Sequence, residues 1–273
     1  MIAPSICGIN IYPIKSTQGI ALPNANVFEQ GLELDRQFVI TDLNGKFITG
    51  RTKARLVLVQ SQVTDFGFII SAPSMDDLII RYDLFSTTYQ NVQVWQDDIN
   101  AQHCSDEVDQ WFSTFLGTAC KLFFYGKQSS RQIKDYNQQV SFADGYPLLL
   151  ISKASLNDLN AKATDTIDMA QFRPNLVVDS CEAFAEDSWH KIAIGNVEFL
   201  VAKPCSRCIF TTVSADNANR HPNKEPLLTL QKYRTGADKQ IYFGQNLIPL
   251  NKGIINLGDT IKVISTKPAE VYL

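Results

Sequence analysis

The sequence predicts a mixed, β-rich fold: a barrel-like region of closely spaced strands, then a region where strands alternate with short helices. Three observations predict it. Short apolar runs broken by turn residues recur through the first 100 residues. Asn44-Gly45 stands just before Lys46-Phe-Ile-Thr49, a strong hairpin signal. Past residue 105 the apolar spacing turns helical, at Val108, Trp111, Phe112 and Phe115.

In chain order, residues 8–13 read as the first strand, followed by strands over 25–29 and 37–41. The turn Asp42-Leu-Asn-Gly45 leads into 46–49, and 56–64, 67–72, 78–82 and 91–95 continue the pattern. Residues 105–115 read as an amphipathic helix. A buried strand over 146–151 runs into Ser152-Lys-Ala-Ser155, which can cap a helix over 156–161. A strand over 175–179 follows Pro174. Residues 189–192 and 196–202 form a hairpin about Gly195, 227–233 a short helix, and 253–257 and 260–264 closing strands around Gly258-Asp259. The change in character puts a boundary near residue 120, dividing the chain into 1–120 and 121–273.

Composition narrows the function. The chain has 273 residues, 45% hydrophobic and 19% charged, ordinary values for a globular protein with a sizeable core. A formal net charge of -3, with no basic run, gives no reason to expect nucleic acid as a partner. The N-terminus lacks the pattern of a signal peptide, and no run reaches the ~18 apolar residues of a membrane helix, so no membrane is expected. Six scattered cysteines without an export signal suggest free thiols and a cytoplasmic location.

The chemistry concentrates in Lys203-Pro-Cys-Ser-Arg-Cys-Ile-Phe-Thr-Thr212. Thiolates suit soft or high-valent transition metals, a neighbouring guanidinium makes a thiolate available near neutral pH, and Arg207 can fork onto a phosphate or carboxylate. The segment therefore suits a metal and an anion at one place, as in a phosphorylated metal cofactor. Three other readings compete. The pair could be half of a zinc site, though the remaining cysteines and His103, His190 and His221 show no ligand-like spacing. It could be a redox pair, but residues 209–213 read as strand where such a pair precedes a helix. Or it could be two buried structural thiols.

The cysteine segment, together with Lys224-Glu-Pro-Leu-Leu-Thr-Leu-Gln-Lys-Tyr-Arg234 and Phe243-Gly-Gln245, resembles the MOSC domain, named for the C-terminal domain of molybdenum cofactor sulfurase. More narrowly it resembles the amidoxime-reducing components and their bacterial relatives. Ile11-Tyr-Pro-Ile-Lys-Ser16, Gly31-Leu-Glu-Leu-Asp-Arg36, Thr49-Gly-Arg51 and Arg55-Leu-Val-Leu58 match the family's N-terminal β-barrel region. Phe172-Arg-Pro-Asn175 and Ala185-Glu-Asp-Ser-Trp189 match the MOSC domain proper, so the likeness runs from about residue 8 to about 263. It implies an N-terminal barrel-like domain over 1–120 and a MOSC domain, a β-barrel with peripheral helices, over 121–273.

The resemblance also implies a molybdenum cofactor in its molybdopterin form, with Cys208 as the metal ligand. Lys15, Ser16, Arg36, Arg173, Asn175, Ser206 and Arg207 would hold its phosphate and ring. The residue types agree, since Lys15, Arg36, Arg173 and Arg207 are cations from distant segments that an anionic ligand would unite. Pyridoxal phosphate is not expected. The implied activity is reduction of small N-hydroxylated compounds to the N–H compound and water. Electrons would come from a separate flavin or iron–sulfur reductase, because no dinucleotide fingerprint is present and no cysteine follows Cys208 to hold a cluster. Cys205 is expected beside the metal rather than on it. Asp144 either relays a proton or caps the following turn. Its loop, Ala143-Asp-Gly-Tyr146, departs from the family pattern, because Gly145 and Tyr146 replace a hydroxyl pair. A reading of a different class is a sulfur or cofactor carrier that holds a persulfide on Cys208.

Overall fold

Three stretches of chain far apart in sequence meet in one eight-stranded sheet. The computed structural model describes residues 3–272. The sheet runs Ile261–Thr266, Trp189–Ile194, Val197–Ser206, Tyr242–Pro249, Leu148–Ser152, Leu176–Asp179, Ser5–Ile11, Ile20–Ala21. Every neighbouring pair is antiparallel except Leu148–Ser152 with Leu176–Asp179. The sheet curls until its ends approach: Ser5 bridges Thr260, and the Ile6 N–H reaches the Asp259 carbonyl at 2.9 Å. Inside the curl lie Ile6, Ile9, Leu150, Val178, Ile192 and Phe199, all under 2% exposed. The Gly253–Asn256, Asn24–Phe28 and Gly31–Leu32 strands add three-stranded cover.

A second body is built from Phe38–Thr41, Lys121–Phe124, Asp97–His103 and Tyr89–Val94, with Gln60–Thr64, Gly67–Ser71 and Leu78–Arg81 as a separate three-stranded sheet. Its core packs around the helix Asp106–Leu116. Ser105 caps that helix, its side chain accepting from the Val108 N–H, and Gly117 ends it in the left-handed conformation at φ 63°. The apolar stripe is the one the spacing predicts: Val108, Trp111, Phe112 and Phe115 are buried, and the Trp111 indole N–H meets the Asp76 carbonyl at 2.7 Å. Removing the fully buried Phe112 ring would cost about 3–5 kcal/mol.

Sheet membership does not follow the position of residue 120. Ser5–Ile11 and Ile20–Ala21 belong to the eight-stranded sheet, and Lys121–Phe124 pairs into the sheet of Phe38–Thr41.

Three expected strands differ. Residues 46–49 form only isolated bridges, Phe47 with Thr41 and Lys46 with Gln93. Residues 56–64 are not one strand: Ala54–Leu58 is a 3-10 helix, and the strand begins at Gln60. Residues 209–213 are not a strand either. Ile209–Thr212 is a 3-10 turn in which the Thr211 and Thr212 hydroxyls donate to the Cys208 and Ile209 carbonyls, at 2.9 and 2.8 Å. Those threonines take the local hydrogen bond that their side chains offer instead of extending. The cap at Ser152 is as anticipated: its side chain accepts from the Ser155 N–H, and the helix runs Lys153–Lys162.

Candidate cofactor site

Lys15, Ser16, Arg36, Asp144, Arg173, Asn175, Ser206, Arg207 and Cys208 all line a single cavity of about 470 Å³. Four segments carry all of these but Asp144, which lies on the loop before the Leu148–Ser152 strand. The first two are laced together: the Lys15 N–H reaches the Phe38 carbonyl at 2.8 Å, the Arg36 N–H the Tyr12 carbonyl at 2.9 Å, and the Tyr12 N–H Asp35 Oδ1 at 2.8 Å. The third is the short helix Met169–Phe172, which Arg173 terminates in the left-handed conformation at φ 57°. The fourth is the far end of the long Val197–Ser206 strand, whose pairing slips between Val201 and Lys203 and again between Pro204 and Ser206. Such slips re-aim side chains.

Four of the lining residues, Ser16, Arg36, Trp95 and Arg173, have positive φ, at 74°, 48°, 59° and 57°. For residues other than glycine this backbone costs about 1 kcal/mol or more each, and such strain clusters at binding sites. Here it holds two guanidiniums against one ring: Arg36 and Arg173 lie 4.2 and 4.1 Å from the Tyr12 ring centre. Like charges so close need compensation. Arg36 has it, through Asp35 at 2.6 Å and the Asn175 side-chain oxygen at 2.9 Å. Asn175 also accepts from the Leu149 N–H and donates to the Asn10 carbonyl, so it fixes the Arg36 side of the wall.

Arg173 and Arg207 have no such compensation. Arg173 donates to the Thr17 carbonyl at 2.6 Å and Arg207 to the Phe172 carbonyl at 2.8 Å. Neither has a carboxylate within salt-bridge distance among the described residues, and Arg173 Nη2 and Arg207 Nε are buried with no partner. Burial, reinforced by the Arg36 charge and partly opposed by Tyr12, brings Arg173 down to about 10, so it stays charged at neutral pH.

Lys15, its side chain 7% exposed, donates to the Phe142 carbonyl at 2.8 Å and to Asp144 at 2.5 Å. The side chain of Asp144 is 65% open to the cavity, yet the chain packed around it would by itself raise its pKa. The Lys15 ammonium, Arg51 and the Trp95 indole N–H at 3.1 Å outweigh that and hold the carboxyl well below the usual range. At neutral pH it is a carboxylate held among those cations. The buried Arg131 holds its loop, donating to the Ser141, Ala143 and Asp144 carbonyls while pairing with Asp97 at 2.7 Å.

The two cysteines have different arginines. Arg207 Nη1 donates to Cys205 Sγ at 3.0 Å, whereas Cys208 Sγ receives Arg51 Nε at 3.2 Å. Arg51 was not among the expected site residues, and neither were Trp95, on which it stacks at 4.0 Å, nor Phe210. Gly50 explains the approach: a Cβ there would sit 2.1 Å from the Phe210 ring, so only glycine lets this loop close on the cysteine segment.

A curled sheet with a barrel-like partner frames a cavity that Cys208 faces, in which Arg173 and Arg207 each keep one buried guanidinium nitrogen without a partner. The model of the MOSC N-terminal beta barrel domain matches residues 3–119, and that of the MOSC domain residues 137–262. The chain belongs to the MOSC family. Among curated relatives, mitochondrial amidoxime reducing component 2 of Bos taurus is 37% identical over 263 residues, 91% of this chain and 78% of that protein. Mitochondrial amidoxime-reducing component 1 of Mus musculus is 33% identical over 93% and 80%, and component 2 of Homo sapiens 34% identical over 92% and 81%.

Proposed function

We propose that this protein is a molybdenum-cofactor-dependent oxidoreductase that reduces N-hydroxylated compounds, amidoximes among them, to the N–H compound and water. The observation that carries the reading is the pair of buried, unpartnered guanidinium nitrogens on Arg173 and Arg207, in the cavity that Cys208 also faces. A buried cationic donor left unsatisfied costs more than ~1–3 kcal/mol, which a phosphate or pterin oxygen would recover. The donor set fits that cofactor: the sulfurs of Cys205 and Cys208, a cluster of fork-shaped cations, and no imidazole in the lining.

When bound, the cofactor supplies the two-electron chemistry that removes oxygen from nitrogen. The chain's own residues bind and orient. Arg173, Arg207, Lys15 and Ser16 would hold the phosphate and ring, with Arg36 supporting Arg173 across Tyr12. Ser206 would contribute at the end of its strand. Cys208 would be the protein's ligand to the metal, and Cys205, engaged by Arg207, would stay off it. Asp144 would keep Lys15 and Arg51 in place. Electrons would arrive from a separate flavin or iron–sulfur reductase that docks transiently.

Metal and pterin analysis of purified protein tests this, with amidoxime reduction driven by a reduced viologen dye. Near-stoichiometric molybdenum with turnover is expected, and NADH alone should support none. Cys208→Ala should abolish metal retention and activity, while Cys205→Ala keeps part of each. Equal loss from both substitutions, or zinc near one per chain, would overturn the assignment.

A further inference from the structure

We propose that Arg51 is a charge filter that admits the neutral substrate and disfavours the cationic product. The inference rests on the reading of function above. In that reaction a neutral amidoxime takes up two electrons from the separate reductase and three protons. The N–O bond breaks, the oxygen leaves as water, and the remaining amidine keeps the third proton. An amidoxime is a weak base and is uncharged at neutral pH, whereas an amidine is a strong base and is then an amidinium cation. The ligand therefore changes charge at the moment it becomes product.

The cavity lining carries six basic side chains, Lys15, Arg36, Arg51, Arg173, Lys203 and Arg207, against one carboxylate, Asp144. Four of the six belong to the cofactor cradle, which leaves Arg51 and Lys203. Of these, Arg51 touches the reacting end of the site, with its Nε 3.2 Å from Cys208 Sγ. It is held there from three sides. Its guanidinium stacks on Trp95 at 4.0 Å, its Nη2 stands 3.8 Å from Asp144, and Arg220 donates to its backbone carbonyl. The charge of Asp144 is already shared: its Oδ1 takes Lys15 at 2.5 Å and the Trp95 N–H at 3.1 Å, and its Oδ2 faces Arg51 Nη2 at 3.8 Å. A compound reacting beside Cys208 meets a fixed cation, and the one carboxylate in the lining is already shared between Lys15 and Arg51. Like charges a few ångströms apart in a partly desolvated site repel by more than thermal energy.

Benzamidinium, benzamide and benzoate are close in size and differ in charge, and they test the filter. With cofactor-loaded protein, inhibition of amidoxime reduction should be strongest for benzoate and weakest for benzamidinium, with roughly tenfold or more between those two. Arg51→Gln should narrow that gap about tenfold by strengthening benzamidinium and weakening benzoate, and Arg51→Lys, which keeps the charge, should preserve the order. Calorimetric titration of the same compounds into the loaded protein gives a readout independent of turnover, and a thermal melt checks that both variants fold. Equal binding of benzamidinium and benzamide to the natural protein, or an unchanged gap in Arg51→Gln, would overturn the proposal. Absence of amidoxime reduction together with the expected order of binding would sink the functional reading and leave the filter standing.

Discussion

Two regions of this molecule bury guanidiniums, and they do so to opposite ends. Arg234 lies behind the eight-stranded sheet, where Asp187 meets it at 2.7 Å; both side chains are 5% exposed. The Arg234 guanidinium is sandwiched between Phe184 and Tyr272 at 4.3 and 3.9 Å, and Gln245 donates to the second oxygen of Asp187 at 2.7 Å. Arg173 and Arg207 face the cavity with aromatic rings beside them but no carboxylate. Burial alone therefore does not mark a functional arginine. The difference lies in whether the fold supplies the anion or leaves it to be supplied.

The largest test of that contrast is Arg234→Ala. It strands Asp187 in the core and should cost about 3–5 kcal/mol in denaturant unfolding. A loss under 1 kcal/mol would make the two regions alike. Arg173→Ala should do the reverse, lowering pterin content through a loss of roughly 1.5–3 kcal/mol of cofactor affinity while the cofactor-free melting temperature holds. Arg36→Ala should lower pterin content too. Unchanged pterin with a lowered melting temperature would place Arg173 with Arg234.

The smallest effect sits next door to Asp187. Glu186, 1% exposed, accepts from the Ser152 N–H and the Ser155 hydroxyl, but its other oxygen has no partner and it forms no ion pair among the described residues. Burial pushes its carboxyl above the ordinary 4.5. The folded state thus holds this proton more tightly than the unfolded chain. Stability from this group is greatest below the unfolded value, declines as pH rises through the interval up to the folded one, and stays lower above it. Glu186→Gln should flatten that decline, seen as a smaller difference between unfolding curves at pH 4 and pH 7. An identical pH slope in the variant would show that the burial is without consequence.

Much of this site could be read from the residues, because its cations and its cysteine pair sit in short, recognisable segments. What could not be read was pairing across distance. Arg207 lies between the two cysteines and was the natural candidate to reach Cys208, yet it turns back to Cys205. The guanidinium on Cys208 comes from 157 residues away. Nothing local to Thr49-Gly-Arg51 announces that, and the glycine that permits it is explained only by the Phe210 ring it lets past. The Asp97–His103 strand was missed for a related reason: with Asp97, Asp98, Asn100 and Gln102 it looks like loop, although Ile99, Ala101 and His103 alternate inward. The positive-φ backbone of Arg36 and Arg173 is set by segments that meet only in the folded chain.

The place of Ser5–Ile11 in the large sheet has a consequence for how the protein is made. Its neighbour Leu176–Asp179 leaves the ribosome long after it; the Cys7 thiol and the Val177 carbonyl that it meets are 170 residues apart. At about 5–20 residues per second, the edge of the first strand that faces Leu176–Asp179 waits roughly 8–35 s for its partner. Closure of the curl is then a late, non-local event, and overexpressed chains are most exposed to aggregation in that interval. Slower growth at lower temperature, or a chaperone that covers the nascent N-terminal strand, should raise the soluble yield more than any change within the cavity.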